Sequence, residues 1–312
     1  MISKDVTRHD VTEQRIEQAL QDMESRVFDF WHDQQYDGSV SLRYGLIQLE
    51  GELLDHTGAR TLEDPALRSP EARTVLLTAA ECALQSLALG CFPDGDWEVE
   101  LFLADRTLSS DDLCYDERWE PDSMSTSARD WTRAFSTCVV SGLVWQHGRV
   151  IGPMLRNDFA PAIRDGVPYS QRQSTSGSAD LAEMDALCAY LHDVDVPASS
   201  WAASGPSPLR RPAPAERAGA SRQLDAAGPL TPDQRLLRVL LDDDQDAFER
   251  ALEKRLLEHR ANIDPDPAPH TLFPLGSITL AALATLAHGW QLSVQSDYLP
   301  TSLLCAPAEV TP

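Results

Sequence analysis

The chain has 312 residues, about twice a common single-domain length, and its 42% apolar and 24% charged side chains are enough to build a sizeable core. That composition excludes a wholly disordered chain, a collagen-like repeat and a coiled-coil rod. With 49 acidic against 26 basic side chains the net charge is −23, which disfavours non-specific binding to nucleic acid or to anionic lipid and favours a basic protein partner.

Ile16, Leu20, Met23, Val27 and Phe30 recur at steps of four and three and predict one amphipathic helix over residues 11–32, with Asp10 and Glu13 as cap and N3 partner. Residues 40–54 supply a second helix. Ser69-Pro70-Glu71 then sets an N-cap and a proline at N1, and Leu76, Leu77, Ala80, Ala83, Leu84 and Leu87 carry a third helix to Gly90. After the turn Pro93-Asp94-Gly95-Asp96 the pattern changes to period two. Trp97, Val99, Leu101 and Leu103 alternate with Glu98 and Glu100, the best strand in the chain.

Helices follow over residues 128–146 and 179–191. Residues 197–231 turn to Ala, Ser, Gly, Pro and Arg without apolar periodicity, and read as a flexible, exposed segment in which Arg210 and Arg211 are solubilising charge. Thr231-Pro232-Asp233 restarts helix, Phe248, Leu252, Leu256 and His259 mark another, and the apolar run 272–290 reads as a buried helix because polar residues interrupt it short of a bilayer span. The expected fold is mainly α, a multi-helix globular array with at most a short strand or hairpin. Its parts are a helical body over 1–196, the flexible segment 197–231, and C-terminal helices over 232–312 that pack onto the body as one continuous domain.

The motifs of common enzymes are missing: no phosphate-cradling glycine loop, no GxSxG elbow and no HExxH helix occurs. Asp242, Asp244, Asp246 and Glu253 imitate a calcium loop, but Ala247 stands where its sharp turn needs glycine, so an acidic first helical turn is expected instead. His192, Asp193 and Asp195 could join a metal site only with a second histidine cluster, and His288 reads as a core histidine satisfied by backbone. The six cysteines form no CxxC and read as reduced, buried thiols. No catalytic residue, cofactor or metal is expected. The polar N-terminus carries no secretory h-region, so a cytoplasmic location is expected.

The strongest feature is acidic clustering between Asp94 and Asp130, where twelve acidic residues face only Arg106, Arg118 and Arg129. Asp94, Asp96, Glu98, Glu100, Asp111, Asp112, Asp116, Glu117 and Glu120, interleaved with Trp97, Tyr115 and Trp119, form a candidate docking face for a basic partner, since aromatic residues are enriched at interface hot spots. The alternative is a solvated acidic surface with its aromatics turned inward.

The block from Phe273-Pro274-Leu275-Gly276-Ser277-Ile278 through Ala287-His288-Gly289-Trp290 to Ser296-Asp297-Tyr298-Leu299-Pro300 resembles the closing signature of the immunity 49 family of bacterial polymorphic toxin systems. Asn157-Asp158-Phe159-Ala160-Pro161-Ala162 and the stretch from Ala179 to Leu187 are similar to internal blocks of that family. The resemblance implies a largely helical cytoplasmic protein that neutralises a cognate toxin by binding, without catalysis. A helical scaffold unconnected with any toxin is the alternative.

Overall fold

The computed structural model describes residues 5–36, 41–93, 95–110, 126–166, 175–192 and 208–307. The chain is 65% helical, and the sheet among these residues is one two-stranded hairpin, as the mainly α expectation required. The first expected helix is in fact two. Helices α1 (Glu13–Leu20) and α2 (Met23–Tyr36) meet at Asp22, whose φ of +45° no right-handed helix can continue through. The cap of α1 is Thr12 rather than Asp10.

Helix α3 (Leu42–Arg60) packs along α4 (Pro70–Cys91). Ser69 caps α4 by accepting the Ala72 N–H at 3.3 Å, with Pro70 just inside, as the sequence indicates. Gly90 lies within the last turn rather than ending it. A Cβ there would collide with Thr126 and Arg43, so glycine is what allows the buried Arg43 guanidinium to reach Ser86 O and Thr126 Oγ1, both at 3.0 Å.

Strand β1 (Glu98–Leu101) pairs antiparallel with β2 (Arg106–Ser109), in the register Glu98 to Ser109 and Leu101 to Arg106. Val99, Leu101 and Leu108 are fully buried, and the hairpin rests on α4 through β1 and on α2 through β2. Helix α5 (Ala128–Ser141) opens with a capping box between Ser127 and Asp130 and stops at Gly142, whose φ of +85° suits glycine. The helix expected over 128–146 is therefore split into α5 and the short α6 (Leu143–Gln146). Then follow α7 (Gly148–Pro153), a π-helical turn over Met154–Phe159 and α8 (Ala160–Asp165) as one rod. Pro153 inside that rod cannot donate to the helical ladder, and the wider turn begins at the next residue. Helix α9 (Ser178–Cys188) packs on α5.

The flexible reading of 197–231 is corrected for its described part, 208–231. Helix α10 (Pro214–Ala226) packs on α9 and on α11 (Pro232–Leu241), burying Ala220, Ser221 and Leu224. Its buried face is built of alanine, serine and one leucine, too small a set to register as apolar periodicity. Arg210 and Arg211 are not free linker charge either: Arg210 forms a two-pronged pair with Glu216, and Arg211 pairs with Asp243. The chain continues through α12 (Gln245–Ala261) to α13 (Leu275–Leu286), which packs on α5 and α11. The acidic run before α12 does what the helical reading expected, with Asp244 capping Ala247 N–H at 3.0 Å.

Two helical stretches among the described residues, Pro70–Cys91 and Pro269–Leu286, are long and apolar enough to cross a membrane, and most of each is buried inside the protein. Leu224 on α10 and Leu283 on α13 are both fully buried. Changing either to alanine is expected to cost about 2–5 kcal/mol, from lost transfer energy and the cavity left behind. Denaturant unfolding measures this, and an unchanged midpoint for Leu224→Ala would restore the reading of its segment as a passive linker.

Candidate functional site: an acidic groove beside the hairpin

The structure places four of the twelve proposed docking residues, Asp96, Trp97, Glu98 and Glu100; Asp94, Asp111, Asp112, Tyr115, Asp116, Glu117, Trp119 and Glu120 lie outside the described residues. Strand alternation decides how the four divide. Val99 and Leu101 face the core, so Glu98 and Glu100 point out, and Asp96 is exposed just before them. Trp97 takes the inward side and is only 8% exposed, so for this aromatic the inward-turned alternative holds.

Opposite Glu98 and Glu100 on β2 stand Ser109 and Thr107, so no cross-strand cation neutralises either carboxylate. The one nearby arginine of β2, Arg106, faces the other way and lies over the Phe28 and Trp31 rings of α2 at 5.6 and 5.5 Å. Asp96, Glu98, Glu100 and Asp158 form no ion pair among the described residues.

These carboxylates border a groove of about 660 Å³ that sequence reasoning missed. One wall is the hairpin, the floor is α4 with Glu81, Leu84, Gln85 and Ala88, and the far wall is the rod carrying Val150, Met154, Asp158 and Phe159. Val150 is 60% exposed and Phe92, at the end of α4, is 36% exposed, so the groove joins an acidic side to an open apolar side. The family-like block from Asn157 to Ala162 runs through this far wall. Glu81 could have been singled out from the sequence, because it is the one charged residue between Thr74 and Cys91. Burial pushes its carboxyl up to about 7, against hydrogen bonds from Gln85 Nε2 at 3.0 Å and the Glu100 N–H, and the Glu100 and Glu98 charges push it the same way as burial.

A second polar cluster has the look of a proton relay. His288 Nδ1 meets Asp243 at 2.8 Å and His288 Nε2 meets the Tyr190 hydroxyl at 2.9 Å, so side chains and not backbone satisfy this core histidine. With a carboxylate at Nδ1, that nitrogen carries the proton and Nε2 accepts from Tyr190. Asp243 also receives Arg217 at 2.8 Å and Arg211. Burial alone would raise the Asp243 carboxyl, but Arg211, His288 and Arg217 together hold it below its ordinary range. Burial holds His288 below its ordinary value although Asp243 pulls upward. Tyr190 and the His288 ring are buried, and the cluster is a clasp tying residues 208–213, α10, the α11–α12 turn and the end of α13 together.

Burial pushes the thiols of Cys91 and Cys188 up to about 12 and those of Cys82 and Cys138 above their ordinary value, which leaves no thiolate nucleophile among them. Cys305 is exposed and Cys114 lies outside the described residues. No group of three or more His, Cys, Asp or Glu side chains among the described residues could hold a metal ion. His192 is described, while its proposed companions Asp193 and Asp195 are not.

Two measurements follow from these environments. A carboxyl whose folded-state pKa lies above its unfolded value weakens the fold wherever both states are ionised. For Glu81 that is above about pH 7, and the penalty fades as pH falls toward 4.5. Glu81→Gln is therefore expected to stabilise the protein by on the order of 1–3 kcal/mol at pH 8, with the gain shrinking at pH 5, in paired unfolding curves. Asp243 sits at φ +63°, which asparagine also tolerates, so Asp243→Asn tests charge rather than backbone. Leaving Arg217 and His288 without their anion is expected to cost about 3–5 kcal/mol. A loss below 1 kcal/mol would show that the clasp is dispensable.

No curated protein and no solved structure matches the chain. The family described as Immunity protein 49 matches residues 64–303, a span that takes in the hairpin, both walls of the groove, the Asp243 clasp and the helices from α4 through α13. Immunity protein families are generally non-catalytic and have a toxin as partner. The chain belongs to the Immunity protein 49 family.

Proposed function

We propose that this chain neutralises a cognate toxin of a bacterial polymorphic toxin system by stoichiometric binding in the cytoplasm, using its acidic hairpin face and no chemistry of its own. The observation that carries the reading, beside the family match, is the row of Asp96, Glu98 and Glu100, exposed and, among the described residues, without a cationic partner. In a folded protein, exposed acid not balanced by neighbouring arginine raises the negative potential of the surface and speeds encounter with a basic partner. A basic toxin domain is the partner this chemistry suits.

Co-expression with the toxin encoded beside it should restore growth, and purified protein alone should turn over no substrate. Reversing Asp96, Glu98 and Glu100 to lysine together is expected to slow association and weaken protection while leaving the unfolding midpoint nearly unchanged, because exposed charges contribute little to stability. The association rate of the unaltered protein should also fall as salt rises. The control reverses Glu17, Asp246 and Asp264, which are exposed and carry the same total charge. The run from Asp242 to Glu249 cannot serve, since Asp243 and Asp244 hold the clasp and the α12 cap. Equal loss in both variants would assign the effect to net charge, and no loss in either would move the contact elsewhere.

A further inference from the structure

The apolar half of the groove needs an occupant that the charged face alone does not define. Val150 and Phe92 leave open apolar surface, with Met154 and Ala88 packed beside them, and directly across stand Glu98 and Glu100 with Glu81 between. A side chain that fits both halves has a long apolar stem and a cationic head, which describes arginine and lysine. A free ammonium or metal ion would find no use for the apolar wall. A purely apolar segment would leave the Glu81 carboxyl buried against it.

We propose that the groove between α4, β1 and the α7–α8 rod seats a basic segment of the toxin, one inserted arginine or lysine lying along Val150 and Met154 and pairing with Glu81, while Glu98 and Glu100 hold its cationic neighbours. This rests on the reading of the chain as a toxin-binding protein. Glu81 is the anchor because it is the carboxylate the floor of the groove presents, and Gln85 and the Glu100 N–H hold it in place. The charged and titratable groups facing it are Glu98, Glu100 and Asp96 on the hairpin side, His147 before α7, and Asp158 on the rod. Near neutral pH part of the Glu81 population is protonated, so seating a cation drives ionisation and releases a proton.

The probe is a terminally blocked hexapeptide of alternating arginine and leucine, titrated into the full-length protein at 150 mM salt, beside the same peptide with citrulline for arginine. Binding of the arginine peptide is expected, with shifted methyl signals at Val150 and Met154, and the citrulline peptide is expected to stay unbound. With the Glu81 carboxyl at about 7 in the free protein, affinity should rise about tenfold from pH 6 to pH 8. That rise should flatten in Glu81→Gln, which assigns it to the Glu81 carboxyl. Val150→Ser, at an exposed position, should weaken binding several-fold without unfolding the protein.

Binding that is indifferent to both variants would mean only surface attraction to Glu98 and Glu100, and would overturn the proposal. So would the absence of binding. In either of those cases, growth rescue by co-expression would leave the immunity reading standing. Groove binding without rescue would sink the immunity reading and leave a groove that accepts basic segments.

Discussion

Helix α4 sets the constraint on which the rest of the structure depends. From Thr74 to Cys91 it is apolar or small around its whole circumference except for Glu81 and Gln85. A helix of that kind is stable in water only when other elements cover every side. Helix α3 covers one side, α5 another and β1 a third. The hairpin belongs to this packing as a lid on α4, and it places Val99 and Leu101 inward and, by strand alternation, Glu98 and Glu100 outward. The acidic row is thus a by-product of covering α4, and the groove opens on the side of α4 that carries Glu81 and Gln85.

Most of this was legible in the sequence, wherever the local signals were strong. The Ser69-Pro70 start of α4, the Thr231-Pro232 start of α11, the period-two strand at Val99 and the apolar α13 all came out where the residues indicated, because each depends on contacts within a turn or on a long uniform stripe. The breaks at Asp22 and Gly142 did not, since the apolar stripe runs on across both and tertiary packing decides where the axis turns. Helix α10 was hidden for another reason. A face made of Ala220, Ser221 and Leu224 packs tightly against two neighbours without needing large side chains, so composition alone resembled a linker.

The candidate site divides along the same line. Its carboxylates were visible as composition, and the outward turn of Glu98 and Glu100 followed from strand alternation. The groove was not visible, because its far wall comes from Val150, Met154 and Asp158, some fifty residues away from β1 along the chain, and only the packing of the rod brings them across from Glu98. His288 shows the converse. Its core position was readable from its apolar helix, but its partners Tyr190 and Asp243 lie far away in the sequence.

The distribution of ion pairs explains why one region of an acidic protein is singled out. In the C-terminal half several arginines are spent locally: Arg210 on Glu216, Arg211 and Arg217 on Asp243, Arg238 on Asp225 and Asp242, Arg255 on Asp233. All of these but the Arg238–Asp242 pair, which stays within the last turn of α11, join one helix or turn to another, and they help hold α10, α11 and α12 together. Around the hairpin the only arginine of the two strands, Arg106, is turned onto the Phe28 and Trp31 rings, away from the groove. The net charge of −23 is consequently uneven in effect. Where acid is paired it tightens the fold, and at the hairpin, where among the described residues it forms no ion pair, it stands beside open apolar surface. An attractive field alone would draw any cation, but a field bordering apolar surface discriminates in favour of cations on long carbon stems, which is what a protein partner supplies and a salt solution does not.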